Sequence, residues 1–251
     1  MPIVGDNGPR DQTVSGGQLV LAALAMGLGA TVQGTIGFGQ ALVATPLLLL
    51  IDTRLVPGPA TVAGVVLSVL VVIRERSVIQ VRGLRWAVLG LVPGTVLAAV
   101  ALAHLSPTGL AALAAAMILA AVAASLGGVR VTPSVRALSV AGLISGFMGT
   151  TAAVSGPPMA LVYQRESGPA LRATLARFFL AASVLTVIAL VPAGKVDRDA
   201  VQTGLVMVPG VLLGFACSGL LIGRVDRGLT RIAVLIVSSV SALAVLARVL
   251  L

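Results

Sequence analysis

The stretch QGTIGFGQALVATPLLLL, Gln33 to Leu50, and the stretch SGFMGTTAAVSGPPMALV, Ser145 to Val162, are two copies of one pattern. At a constant offset of 112 residues, Gly34 falls on Gly146, Gly37 on Gly149 and Pro46 on Pro158. Each copy lies inside a long apolar run, where glycine and proline interrupt a helix. Interrupted apolar helices at matching positions in two halves of a chain are the sequence pointer to a substrate site in a membrane carrier.

Composition sets the frame. Of 251 residues, 58% are hydrophobic and only 10% are charged, and the mean hydropathy is +1.10. A water-soluble chain of this size has no means of hiding that much apolar surface, so the class is a polytopic membrane protein in contact with a lipid bilayer. The net charge of +9 would suggest nucleic acid in a soluble protein. Here the arginines sit in short loops between apolar runs, as cytoplasmic loops do, and no nucleic-acid partner is expected. The single cysteine, Cys217, excludes an internal disulfide and reads as a small buried apolar residue. Residues 1–17 are polar and Gly-rich, without the basic start of a secretory signal, and read as a short disordered tail. Residues 18–251 then form a single membrane transport domain.

Apolar runs lie at about 18–51, 56–73, 84–103, 108–127, 136–163, 170–191, 199–222 and 229–250. Six have the length of one crossing, and the two repeat-bearing runs are too long. Loop charge decides how those two are threaded. The loop at 74–85 carries Arg74, Arg76, Arg82 and Arg85 against Glu75, and is cytoplasmic by the positive-inside rule. If 136–163 crossed once, the basic loop with Arg224, Arg227 and Arg231 against Asp226 would face outside. A hairpin at 136–163 returns it to the cytoplasm, and a hairpin at 18–51 puts the Asp52–Arg54 turn outside. The expected architecture is all-α, with two inverted repeats, 18–127 and 136–251. Each is a re-entrant helical hairpin followed by three transmembrane helices. A second match supports the duplication: LVPGTVLAAV from Leu91 resembles MVPGVLLGFA from Met207, with Pro93 and Gly94 on Pro209 and Gly210.

Irregular backbone at membrane depth is tolerated where it is buried in protein or lines a wet cavity. The breaks are also the polar islands of the chain: Gln33, Thr35 and Gln40 in one copy, Ser145, Thr150, Thr151 and Ser155 in the other. The returning arms, about 40–51 and 155–163, start at these breaks. Their N-termini would aim unpaired N–H groups at the membrane centre from both sides, a site for an anion that needs no buried charge. The same glycines and hydroxyls also serve close helix packing in membranes.

At these residues the chain resembles the sulfite exporter TauE/SafE family of bacterial membrane permeases, over essentially residues 18–250. The resemblance rests on the two quoted stretches and on the LRATLARFFL run from Leu171. It implies transport of sulfite, sulfonates or related small anions across the bacterial inner membrane, with the hairpins lining the route. The residues matched to that role are Gln33, Gly34, Gly37, Phe38 and Gly39 with Pro46, and Ser145, Gly146 and Gly149 with Pro157 and Pro158. Gln40, Thr150, Thr151 and Ser155 join them as polar groups at the same breaks.

Arg177 lies inside an apolar run, where a guanidinium is costly. It either completes the anion site or reaches to the cytoplasmic surface beside Arg172. Arg165 and Glu166 read as a surface pair, His104 as solvent-facing and Trp86 as an interfacial anchor. No spacing of metal ligands, catalytic triad or phosphate loop is present, so neither an enzyme nor a cofactor or metal is expected. The expected function is a secondary transporter of small anions. The alternatives are an intramembrane enzyme acting through re-entrant loops and a permease for another small metabolite. The small-residue run AALAAAMILAAVAA from Ala111 suits packing within one chain or across a homodimer.

Overall fold

In the computed structural model, the described residues are 14–78, 83–127, 131–163, 165–166, 168–224 and 227–250. Most of the predicted N-terminal tail, with Asp6, Arg10 and Asp11, lies outside them, as do Arg82, Arg130 and Asp226. The described chain is all-helical, and six helices are long and apolar enough to cross a membrane.

The two breaks are made locally. Helix α1, Gly16–Ile36, starts at a capping box in which Ser15 and Gln18 bond reciprocally. It stops where Gly37 turns left-handed at φ 103°, and Gly39 follows at φ 111°. A second conformation of that kind within three residues requires glycine. Helix α2, Gln40–Ile51, then runs back with Pro46 inside it. The second hairpin has α6, Val135–Ala152, capped by Ser134, a left-handed Ala153 at φ 57°, and the seven-residue α7, Gly156–Val162.

The first broken run returns to the end it entered from. Gln18 Nε2 donates to the Ile51 carbonyl at 3.2 Å, and Gly29 lies against the Gln40 backbone. Helix α2 therefore starts level with the middle of α1. The last turns of α1 continue past it by about 10 Å, at 1.5 Å per residue. The first arm is long enough to cross, and only the returning arm is of half depth.

The remaining helices are α3 (Gly58–Arg74), α4 (Leu84–His104), α5 (Pro107–Leu126), α8 (Gly168–Leu190), α9 (Arg198–Leu221) and α10 (Arg227–Leu250). Glycine sets two close interfaces. Gly210 and Gly214 of α9 press on the backbone of Ala23 and Gly27 in α1. At the second interface, Gly90 and Gly94 of α4 meet Ser139 and Leu143 of α6, whose Gly142 and Gly146 meet Ala87 and Leu91. Numbers rise together on both sides of each contact, so α1 runs parallel to α9, and α4 to α6. The Pro-Gly match at Pro93–Gly94 and Pro209–Gly210 thus marks two like backbone contacts, each joining a helix of one repeat to the first hairpin arm of the other.

Contacts fix the other directions. Gly58 and Gly204 join α3 to α9 in parallel, and Glu75 meets Arg172 where α3 ends and α8 begins, so those two are antiparallel. Chain turns consequently gather at two ends. One is basic, with Arg74, Arg76, Arg85, Arg136, Arg165 and Arg224; the other holds Asp52, His104, Lys195 and Asp197. Large apolar side chains such as Leu89, Val96, Ile188 and Leu213 are exposed between the ends, as suits a face in lipid. Cys217 is exposed on α9 rather than buried, because α9 packs through the Gly210–Gly214–Ser218 stripe and turns its other faces outward.

Candidate functional site

The two breaks meet at one cavity in the interior, of about 60 Å³. Gln33, Gly39 and Gln40 reach it from the first hairpin, and Gly149, Ser155 and Pro157 from the second. Two further helices complete the wall: Thr61, Gly64 and Ser68 from α3, and Phe179, Ser183 and Thr186 from α8. Thr45 of α2 and Met26 of α1 fill the remaining side. Every polar group on this wall is neutral. A few water molecules or one small ion fill such a volume.

Gln40 is the most informative residue here. Its side chain is buried at 7% exposure, and its Nε2 has no hydrogen-bond partner. A buried amide donor left unpaired costs about 1–3 kcal/mol, so such groups call for an explanation. Gln40 is also the first residue of α2, whose N-cap is Gly39 with no capping side chain. The backbone N–H groups of Gln40, Ala41 and Leu42 have no intrahelical acceptor. Gln40 and the first turn of α2 both line the cavity, and an amide donor and a helix N-terminus both favour negative charge.

The second hairpin contributes differently from the expectation of two opposed donor-rich N-termini. Helix α7 begins Gly156-Pro157-Pro158, and proline has no N–H. Gly156 is left as the single free donor of its first three residues. What the second hairpin offers instead is the Ser155 hydroxyl, so tightly placed that a Cβ on Gly149 would overlap its oxygen.

Other predicted residues lie elsewhere. Gly34 packs on Ser218, and its carbonyl accepts from Arg74 Nη2; Gly37 rests on Arg172. Phe38 is partly buried against the core cluster that includes Tyr163, Leu175 and Phe178. Gly146 serves the α4–α6 contact, and the neighbouring Ser145 hydroxyl is buried without a partner. Thr150 Oγ1 lies 3.1 Å from Thr186 Oγ1, beside the cavity. Thr151 donates to the Phe147 carbonyl at 2.7 Å and borders a second, wider cavity. Pro46 is buried within α2, Pro157 is buried and Pro158 is half-buried at the start of α7. Arg177 lies outside the central cavity, donating to the Ala173 carbonyl at 3.0 Å and the Arg76 carbonyl at 3.4 Å.

The wider cavity has a volume of about 620 Å³ and opens at the end opposite the basic one. Thr53, Arg54, Lys195, Asp197 and Asp199 surround it, and Thr151 marks its approach to the second break. Two buried charges meet at the basic end. Glu75 and Arg172, read from the sequence as solvated loop or surface charges, are buried at 5% and 6% exposure. Arg172 Nε donates to Glu75 Oε1 at 2.6 Å. The sequence signal for this pair was weak: both residues flank apolar runs, and only the antiparallel contact of α3 with α8 brings them together.

No group of three or more metal-ligating side chains occurs among the described residues. No curated protein and no solved structure matches the chain. A family profile described as sulfite exporter TauE/SafE matches residues 21–245, which takes in both hairpins and, in whole or large part, the ten α-helices of the described residues. That family is one of membrane transporters, and the match runs through the broken helices that build the cavity. The chain belongs to the sulfite exporter TauE/SafE family.

Proposed function

We propose that this protein is a secondary transporter of small anions of the sulfite or sulfonate class, working by alternating access around the cavity between the two hairpin breaks. The observation that carries the reading is the unpaired, buried Gln40 Nε2 beside the uncapped N-terminus of α2. An anion there would satisfy the amide and the helix donors together, with no buried cation to hold it too tightly. Ser155, Thr61 and Ser68 supply hydroxyls that orient it.

Two inverted halves suit this mechanism. Rocking one α1–α9 or α4–α6 pair against the remainder would exchange the open end while the cavity stays in place. The positive-inside rule supports reading the basic end as cytoplasmic in a bacterial inner membrane, with the 620 Å³ cavity as the outer vestibule. The absence of a phosphate-binding loop from the sequence leaves a gradient of substrate or of protons as the driving force.

Uptake of labelled sulfite into proteoliposomes loaded with unlabelled sulfite tests the reading, with sulfoacetate and taurine as competitors. Accumulation that sulfite and sulfoacetate suppress supports an anion carrier of this class. No accumulation by folded, reconstituted protein would sink it, and conversion of sulfite to a product would favour an intramembrane enzyme.

A further inference from the structure

The charged groups at the basic end are aligned with the cavity. Along α3, Thr61, Gly64 and Ser68 face it, and seven residues on from Ser68 is Glu75. Along α8, Phe179, Ser183 and Thr186 face it, and seven residues back from Phe179 is Arg172. Seven residues are two helical turns, so each charged residue lies on the cavity-lining face about 10 Å from the wall. The bond between them spans the two helices that line the route.

Three features set this pair apart from a structural ion pair. It is buried, and burying two charges against each other stabilises a fold little or not at all. Its charges do not balance: Arg74 Nε lies 3.5 Å from the same Glu75 oxygen, so two guanidinium groups share one carboxylate. Arg74 makes its hydrogen bonds to neutral acceptors, Ser218 Oγ at 2.9 Å and the Gly34 carbonyl, with the Phe215 ring beneath it at 4.6 Å. Finally, the first break leans on it, since a Cβ on Gly37 would lie 3.2 Å from Arg172 Cγ. Elsewhere beside the same cavity, α6 and α8 are joined by the neutral Thr150–Thr186 hydroxyl pair.

We propose that Arg172 is a second anion-binding residue, held by Glu75 in the empty protein and passed to the transported anion as the basic end opens. The inference rests on the anion-carrier reading above and adds where the anion is bound on the cytoplasmic side. A positive charge in excess at that end draws the anion in. The Glu75 carboxylate competes with it for the Arg172 guanidinium, which keeps the affinity low enough for release.

Titration calorimetry of sulfite into the purified full-length protein in detergent tests this directly. Glu75→Gln removes the competitor and should bind sulfite at least tenfold more tightly than wild type. Arg172→Gln should bind at least tenfold more weakly, and the double variant should follow Arg172→Gln. Equal affinities in wild type, Glu75→Gln and Arg172→Gln would overturn the proposal. A wild type that binds no sulfite at all would instead overturn the anion-carrier reading. Should Arg172→Gln fail to fold, Glu75→Gln still decides, because lost structure does not tighten binding. A readout without ligand completes the test. Ser68→Cys in a Cys217→Ala background, labelled from the cytoplasmic face of inside-out vesicles, should react at least tenfold faster when Glu75→Gln or Arg172→Gln is added. An unchanged rate would contradict the placement of the pair across the route.

Discussion

Replacing Gln40 by Met separates stability from function in a way the site geometry dictates. The two side chains are similar in length, so the substitution keeps the volume and removes the polar atoms. In the empty protein Gln40 Nε2 is buried without a partner, a state that costs about 1–3 kcal/mol in mutational measurements. A volume-conserving apolar exchange costs less than about 1.5 kcal/mol. The variant should therefore range from about as stable as wild type, within about 0.5 kcal/mol, to about 3 kcal/mol more stable, the span of the difference between those two terms. Transport should move the other way. An amide bond to an anion contributes about 1.5–3 kcal/mol, which is about 10- to 150-fold in affinity at 1.4 kcal/mol per tenfold. Thermal unfolding in detergent and sulfite counterflow, run on the same preparation, give both numbers. A Gln40→Met protein that melts several degrees lower yet transports at the wild-type rate would refute the reasoning, since Gln40 would then be a structural residue with an unobserved partner.

Three further outcomes follow from the packing and the ends. Gly94→Val should reduce the yield of monodisperse protein sharply, because its added carbon meets the Leu143 carbonyl of α6, and overpacking costs about 1–3 kcal/mol or more; a wild-type melting temperature would contradict the close α4–α6 contact. Arg177→Ala should keep flux within about fivefold of wild type, since its bonds are to the Ala173 and Arg76 carbonyls outside the cavity and one such bond contributes about 1 kcal/mol; abolished flux from folded protein would return Arg177 to the site. Thr53→Cys in the Cys217→Ala background should react with a membrane-impermeant thiol reagent from the outer face, and labelling from the cytoplasm alone would reverse the assigned orientation.

The positions of both breaks could be read from residue types alone. Gly37 and Gly39 adopt backbone angles that glycine favours, and the matched Pro46 and Pro158 mark the returning arms. Loop arginines likewise indicated which runs return to their own side, because charge near helix ends responds to sequence and not to packing. The site was legible only in part. Thr61, Ser68, Ser183 and Thr186 are single hydroxyls on apolar helices, indistinguishable in sequence from the small residues of any helix interface. Their place on the cavity wall appears when α3 and α8 are set against the hairpins. The Glu75–Arg172 pair joins residues 97 positions apart, and each alone resembles an ordinary charge at a membrane boundary. The prolines of α7 are a different case: Pro157 and Pro158 state in the sequence that the second hairpin keeps a single donor, Gly156, in the first three residues of its returning arm. The assumption that the two halves contribute equally obscured it.

The central claim is that the anion sits between the two breaks, against Gln40. Selenite has the shape and charge of sulfite and carries an anomalous scatterer. Crystals grown with selenite should show an anomalous peak in the central cavity, with an oxygen within about 3.2 Å of Gln40 Nε2, the reach of an N–H···O hydrogen bond. Anomalous density confined to other sites, with the cavity empty at saturating selenite, would contradict the account.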